Sequence, residues 1–511
     1  MYDLISLTTR RQIFALLAIF LSCLMTAVHA EQELISVFPL DNYNQTVDRW
    51  IKPDDADYDK PLISSEVQQQ RMNEFYQHYF GESSPWNADY VNHVVKQAAP
   101  DDLQTLEKIL IGNYSNKNKS GNEIGYGENF RPHTQGWIHA IAANINLSQF
   151  DNSTYHANQR GIAIDNLHVR VLPSEDVHFY HHKLAGQGYP FDNLQMSSLW
   201  AGTPVYIIGE SRDRAWSFVL TPDFIGWVKS KGIVRTSDAF VRQWQAAAKA
   251  KLAAITQTQV SLIDNKNQYL LTVYVGSVFP ATGDENNIKL MIPAAGFDHQ
   301  AVIKDASVKA GQAAIMPLAA TPHHFANLMR TMIGRPYGWG GMYFYNDCSA
   351  ELKSLFTPFG IWLPRHSSDQ VMRGRMVDVS SYSQSERLAY LKRNGRKLLT
   401  IVYIGGHVFL DVGNHKQGDN ETVMTYQNMW GLSPSPSTRR AVVGQSVLFP
   451  LLLQYPEDPT LMSHANKKYF QVAFLDQMPS SSGNKSLRIY RMILRTLMFP
   501  DFTGILENLP L

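Results

Sequence analysis

At 511 residues, with 44% apolar and 18% charged side chains, the chain is long enough for several domains, each with its own core. Its 46 lysines and arginines nearly cancel 45 aspartates and glutamates, for a formal charge of +1. That balance excludes a general electrostatic attraction to nucleic acid or to anionic lipid.

Taken in chain order, Arg10 and Arg11 precede an apolar run from Ile13 to Met25, and Val28-His29-Ala30 offers small residues where a signal peptidase reads. Residues 1–30 are therefore read as a signal peptide, and the run is too short for a comfortable membrane span. Cleavage after Ala30 exports a chain with one thiol, Cys348, to the periplasm. Lipid attachment at Cys23 is the second reading, because Phe20-Leu21-Ser22 matches the usual attachment signal poorly. No later segment is apolar for long enough to cross a bilayer.

Residues 31–155 read as an accessory helical region, with Glu66–Tyr79 and Asp89–Ile111 helix-like and Asn113–Asn129 a loop rich in Asn, Gly and Ser. Residues 156–235 change to short alternating strands: Thr203-Pro-Val-Tyr-Ile-Ile-Gly-Glu, a turn at Ser211-Arg-Asp213-Arg, then Ala215-Trp216-Ser-Phe218-Val. Residues 236–318 repeat that style after an Ala-rich helix at Ala239–Thr256, so two small β-barrels joined by a helix are expected. Residues 319–480 run helices first and an antiparallel meander second, an α+β pattern. Residues 481–511 form a tail whose Leu487–Met498 stretch suits a surface-docking helix.

Cys348 stands out. Leu352, Leu355, Phe356 and Phe359 recur at the spacing of one helix face, and Asp347 can cap the start, so the thiol occupies a first helical turn. Backbone N–H groups and the macrodipole there favour a thiolate. A buried structural cysteine is the plain alternative, but a lone thiol in an oxidising compartment is a liability unless it has a task.

A thiolate needs a base, and the base needs an orienting group. His407 follows Gly405-Gly406 and opens a strand. If the flanking strands pair symmetrically about Gln417, His407 faces Gln427, whose amide can hold one imidazole tautomer. His181-His182, His323-His324, His366 and His415 have no such company. No His-Glu-x-x-His or Cys-x-x-Cys spacing occurs, so neither a metal nor another cofactor is expected.

These motifs resemble a known family. Pro336-Tyr337-Gly-Trp339-Gly-Gly, Asp347-Cys348-Ser349, Leu363-Pro364-Arg365-His-Ser367-Ser368-Asp-Gln370 and Gly406-His407-Val, in that order, resemble the NlpC/P60 cysteine peptidases of the cell wall. Tyr189-Pro-Phe191-Asp192-Asn-Leu-Gln195 and Ser211-Arg-Asp213-Arg-Ala-Trp216 resemble the first bacterial SH3 domain of multi-domain members. The resemblance implies a papain-like catalytic domain behind two SH3-like barrels and a helical N-terminal region. It implies hydrolysis of γ-D-glutamyl bonds to diaminopimelate, or a similar dibasic residue, in peptidoglycan stem peptides with a free N-terminal L-Ala.

Carried onto this chain, Cys348 is the nucleophile, His407 the general base and Gln427 the third polar member, where many relatives have histidine. Tyr337 belongs to the substrate pocket and oxyanion surroundings, Asp347 meets the L-Ala amine, and Ser349 and Ser367 bond the substrate backbone or a carboxylate. Arg365 either binds a substrate carboxylate or pairs with Asp369. The competing readings are an N-acetylmuramoyl-L-alanine amidase or acyltransferase using the same nucleophile, and a catalytically inert wall-binding scaffold.

Overall fold

The computed structural model describes residues 34–97, 103–150, 154–182, 184, 188–418 and 420–479. The expected signal peptide, with Cys23, and the expected tail lie outside the described residues. Among the described residues, three seven-stranded sheets organise the chain, and no helix is long and apolar enough to cross a membrane.

The C-terminal sheet runs, edge to edge, through strands 35–37, 440–451, 420–432, 408–417, 400–403, 471–474 and 375–378. Helix Cys348–Phe356 packs across its 408–417 and 420–432 strands. Asp347 caps that helix by accepting the Ala350 N–H at 3.0 Å. Leu352, Leu355 and Phe356 are all 0% exposed beneath it, each worth about 1.5–3 kcal/mol of apolar burial.

The N-terminal region is more than accessory. Strand Ile35–Val37 extends the same sheet, parallel to 440–451. From helix Ser65–Tyr79, the fully buried Arg71 donates to the carbonyls of Arg373 at 2.6 Å and of Leu475 and Gln477 at 2.9 Å. A buried guanidinium without such acceptors is strongly destabilising, so this helix is bound to the catalytic sheet. The stretch read as one helix-like run resolves into Ala88–Gln97 and Leu103–Tyr114.

The two middle sheets differ from the expected closed barrels, because in both the strand order is linear. In the first module the ladder ends at Gln195–Leu199 and Ile233–Arg235, with register shifts at Val169/Arg170 and Ile207/Gly209. Such bulges bend short strands around a core without adding a closing ladder. The Ala-rich helix also ends earlier than its composition suggests, at Ala250, and Leu252–Ile255 is a strand of the second module, one in from the edge of its sheet. All four of its residues are buried, and a short apolar run of that kind carries no periodicity to separate strand from helix.

Both modules meet the catalytic domain. Trp339 Nε1 donates to the Asp192 carbonyl at 3.0 Å, Gln195 Nε2 to the Gly340 carbonyl at 2.9 Å, and Ser198 Oγ to the Gly341 carbonyl at 2.8 Å. A Cβ on Gly340 would lie 2.5 Å from the Gln195 oxygen, so this approach requires glycine. Behind the site, Gly276 of the second module brings its backbone against Ser354 of the Cys348 helix. Phe344 sits where the modules converge, stacked on His168 at 4.5 Å and beside Trp200 and Tyr274.

Candidate active site

Cys348 opens its helix and is 8% exposed. The Val408 and Ser349 N–H groups favour its thiolate, but burial and then the Asp347 carboxylate outweigh them and push the thiol up to about 12. The resting sulfur is therefore a thiol, contrary to the expectation from its place at the helix start. Removal from water costs an anion more here than the helix terminus returns.

His407 immediately precedes strand Val408–Gln417, and its Nε2 lies 2.7 Å from Gln427 Oε1. The pairing that produces this contact is not the symmetric one. The strands register Leu410 with Tyr426 and Gln417 with Asn420, with a shift between Asp411 and Gly413. The turn thus lies later than Gln417, and His407 reaches Gln427 diagonally, within the range of cross-strand neighbours.

Protons can be assigned along this network. Thr425 Oγ1 donates to the Phe449 carbonyl at 2.7 Å and accepts from Gln427 Nε2 at 2.9 Å. The amide oxygen of Gln427 must then face His407, so Nε2 of the imidazole carries the hydrogen and Nδ1 is left as the acceptor. Burial lowers His407 to about 4, opposed by the Gln427 bond and aided by the Lys467 charge. Glu351 ties the two halves together. Its buried carboxyl, on the Cys348 helix, accepts from Tyr426, from Ser446 at 2.6 Å and from Asn346 at 2.8 Å.

Asp347 is engaged on both oxygens. Arg365 donates to Oδ1 at 3.0 Å and to Oδ2 at 2.5 Å, to Ser349 Oγ at 2.6 Å, and through Nε to Ser197 Oγ of the first module at 2.9 Å. Neither partner expected for Arg365, a substrate carboxylate or Asp369, anticipates this pairing with Asp347.

A cavity of about 220 Å³ brings Tyr337, Cys348 and His407 together. Gln427 lies behind the histidine, and Asp347 and Ser349 lie behind the cysteine; none of these three lines the cavity. Ser367 begins the four-residue helix Ser367–Gln370 and also lies outside the lining. Phe191 of the first module forms one wall, its ring 5.0 Å from Trp339 and 5.2 Å from Trp430. His464, Lys467 and Arg440 line the cavity as well, and sequence reasoning singled out none of them. No group of three or more His, Cys, Asp or Glu suited to a metal ion occurs among the described residues.

A helix-borne cysteine facing a histidine on an antiparallel sheet is the papain-like arrangement. Comparison with known proteins agrees. Residues 334–431 match the NlpC/P60 family, residues 178–229 an SH3 domain of the SH3b1 type, and residues 13–150 the N-terminal NLPC_P60 stabilising domain. An NlpC/P60 endopeptidase from Photobacterium damselae subsp. piscicida superposes with a TM-score of 0.75 at 28% identity, over 87% of this chain and 100% of that one. An NlpC/P60 family protein from Bacillus cereus aligns with a TM-score of 0.39 at 15% identity, over 60% of this chain and 98% of that one. No curated protein matches the sequence. The chain thus carries an NlpC/P60 domain, of a family whose members are typically cysteine peptidases, behind an N-terminal stabilising domain and an SH3 domain.

Proposed function

We propose that the chain is an exported, periplasmic cysteine endopeptidase that hydrolyses the γ-D-glutamyl bond to diaminopimelate, or a similar dibasic residue, in peptidoglycan stem peptides. The observation that carries this reading is one cavity lined by Cys348 and His407, with Gln427 bonded behind the imidazole.

In this reading the Cys348 sulfur attacks the γ-carbonyl carbon while its proton passes to Nδ1 of His407. A thiol near 12 beside an imidazole near 4 does not form an ion pair at rest, so proton transfer accompanies attack. The oxyanion is met by the Cys348 N–H and a neighbouring donor, and losing one such donor costs roughly 3 kcal/mol. The carbon–nitrogen bond breaks as His407 returns the proton to the leaving amine. Water, deprotonated by the same imidazole, then hydrolyses the thioester and restores the thiol. No cofactor takes part.

Tyr337 lines the acyl side, and Ser349 and Asp347 shape it through Arg365. Ser367, outside the cavity, is assigned to a longer-range contact with the bound peptide. Phe191 closes this end, which favours a short acyl segment with a free L-Ala. Because Arg365 already neutralises Asp347, the preference rests on that closure more than on the carboxylate. The second seven-stranded module is taken as a second SH3-like domain. Incubation with a stem tetrapeptide, followed by mass identification of the fragments, tests the reading. L-Ala-γ-D-Glu and a diamino-acid peptide are expected; release of muramic acid from intact muropeptide instead would establish the amidase.

A further inference from the structure

The cavity is charged on one side only. Among its lining residues are two cations, Lys467 and Arg440, and no aspartate or glutamate. Elsewhere Lys353 is paired with Asp223 at 2.9 Å, Arg365 with Asp347 at 2.5 Å, and Arg439 with Asp458. Lys467 Nζ has no hydrogen bond or ion pair among the described residues. Its backbone is nonetheless fixed, since the Lys467 carbonyl accepts from Arg387 at 2.6 Å. A fixed stem with an unmatched ammonium in a cavity wall is arranged for an anion from outside.

The position of these cations follows from the catalytic pair. His464 lies with its ring centre 5.1 Å from that of His407, is 5% exposed, and is kept neutral by burial and by the neighbouring His407 and Lys467 charges. Lys467 in turn feels Arg440, whose guanidinium is held by Ser437 Oγ and the Arg439 carbonyl. Lys467 thus stands beside both histidines, acting on His407 and on His464, whereas the charged and phenolic groups acting with the cysteine are Asp347, Arg365 and Tyr337. His407 hands its proton to the leaving amine, so the leaving group occupies the side where the cations stand.

We propose that Lys467 and Arg440 form a carboxylate-binding subsite for the leaving group, selecting stem peptides whose diamino-acid residue or following residue presents a free carboxylate. The inference rests on the peptidase reading above and names the recognition that it leaves open. A lysine leaving residue brings only an ammonium towards two cations. Diaminopimelate carries a carboxylate beside that ammonium. The anion has two sources, the side-chain carboxylate of the diamino acid and the C-terminal carboxylate of the released peptide.

The test measures kcat and KM of the full protein, wild type and Lys467→Met, on L-Ala-γ-D-Glu-diaminopimelyl-D-Ala. The same measurements are made on its side-chain amide, its C-terminal amide and the lysine analogue. Wild type is expected to favour the free acid over the relevant amide by about ten-fold or more, mainly in KM. Lys467→Met is expected to collapse that ratio towards one, and Lys467→Arg to keep it. The amide that weakens cleavage identifies the source. Equal cleavage of all four peptides, or an equal slowing of all four in the methionine variant, overturns the subsite while leaving the peptidase reading intact. Cleavage of none overturns the peptidase reading itself. A second measurement then decides the subsite: calorimetric binding of diaminopimelyl-D-Ala, its side-chain amide and its C-terminal amide to Cys348→Ala protein. Tighter binding of the free acid than of one of the amides, lost on adding Lys467→Met, supports the subsite, and equal or absent binding of all three overturns it.

Discussion

The two middle modules have the same number of strands and nearly the same size, yet they serve the catalytic domain in different ways. The first faces the cavity with side chains. Phe191 forms a wall, Gln195 and Ser198 grip the Gly340 and Gly341 carbonyls, and Ser197 steadies Arg365. The second approaches from behind with backbone, through Gly276 against Ser354 of the Cys348 helix and the Leu318 N–H donating to the Pro358 carbonyl at 2.8 Å. Two seven-stranded modules within one chain can thus stand against the same domain in different ways, one lining the cavity and one backing the helix that carries Cys348. Strand count alone does not separate the two uses.

If neither module supplies chemistry, the largest effect must come from the catalytic domain. Cys348→Ser is expected to lower kcat/KM on a stem tetrapeptide by at least about 10⁴-fold with the melting temperature unchanged, because the side chains are nearly isosteric. Retention of near-native turnover would place the nucleophile elsewhere, and with it the boundary between support and chemistry. Gln427→Leu follows, with a loss of roughly 10²-fold in kcat, because the Nε2–H of His407 loses its acceptor and the imidazole can rotate. Gln427→His should keep most of the activity. A silent leucine variant would mean that another group orients the ring. In the wild type, kcat/KM should fall as pH drops through about 4, where His407 takes up its own proton; a profile flat through that region would show that its imidazole is not the base.

What could be read from the chain follows how local each determinant is. The Cys348 helix depends on a cap at Asp347 and apolar residues a few positions on, so nearby residues suffice to place it. The His407–Gln427 register depends on a turn after Gln417 and a shift at Asp411/Gly413, and nothing in the flanking residues announces an inserted residue. Arg440, His464 and Lys467 are farther out of reach. They meet the cavity because strand 440–451 lies beside 420–432 and the 464–467 turn folds back over the sheet. A scan for basic residues on apolar stretches after the histidine would have flagged Arg440-Ala-Val-Val, but not its neighbours. Leu252–Ile255 shows the same limit in the fold: its alanines suit a helix until the ladders to 278–282 and 313–315 are known.

Gly276→Ala probes the second module's use directly. Gly276 has φ +86°, and an added Cβ would stand 2.9 Å from Ser354 Cα. Strain of about 1–3 kcal/mol is expected, and relief requires the Cys348 helix to move. Both the melting temperature and kcat should fall, with KM little changed. A variant that loses stability at full kcat would reduce the module to general support and weaken the contrast.

Phe191→Ala probes the first module's use, and its effect should be smaller and of the opposite kind. The ring makes edge-on contacts with Trp339 and Trp430, with interplanar angles of 83° and 80°. Each such pair is worth about 0.5–1.5 kcal/mol beyond the area it buries. Removing the ring opens the acyl-side end of the cavity without touching Cys348 or His407. KM for a short free stem peptide should therefore rise about three- to ten-fold while kcat holds. In the proposed reading, closure by this ring disfavours a blocked L-Ala, so N-acetylated tetrapeptide, expected to be a poor substrate for the wild type, should gain on the free peptide in the variant. The ratio of the two specificity constants is the informative number, because it cancels any general loss of activity. If the ratio stays at its wild-type value while KM rises, the wall only packs against the catalytic domain and the Asp347–Arg365 pair sets the amine preference. If the ratio moves towards one, the first module defines how much of the stem peptide the cleft accepts, and the two modules differ in function as well as in placement.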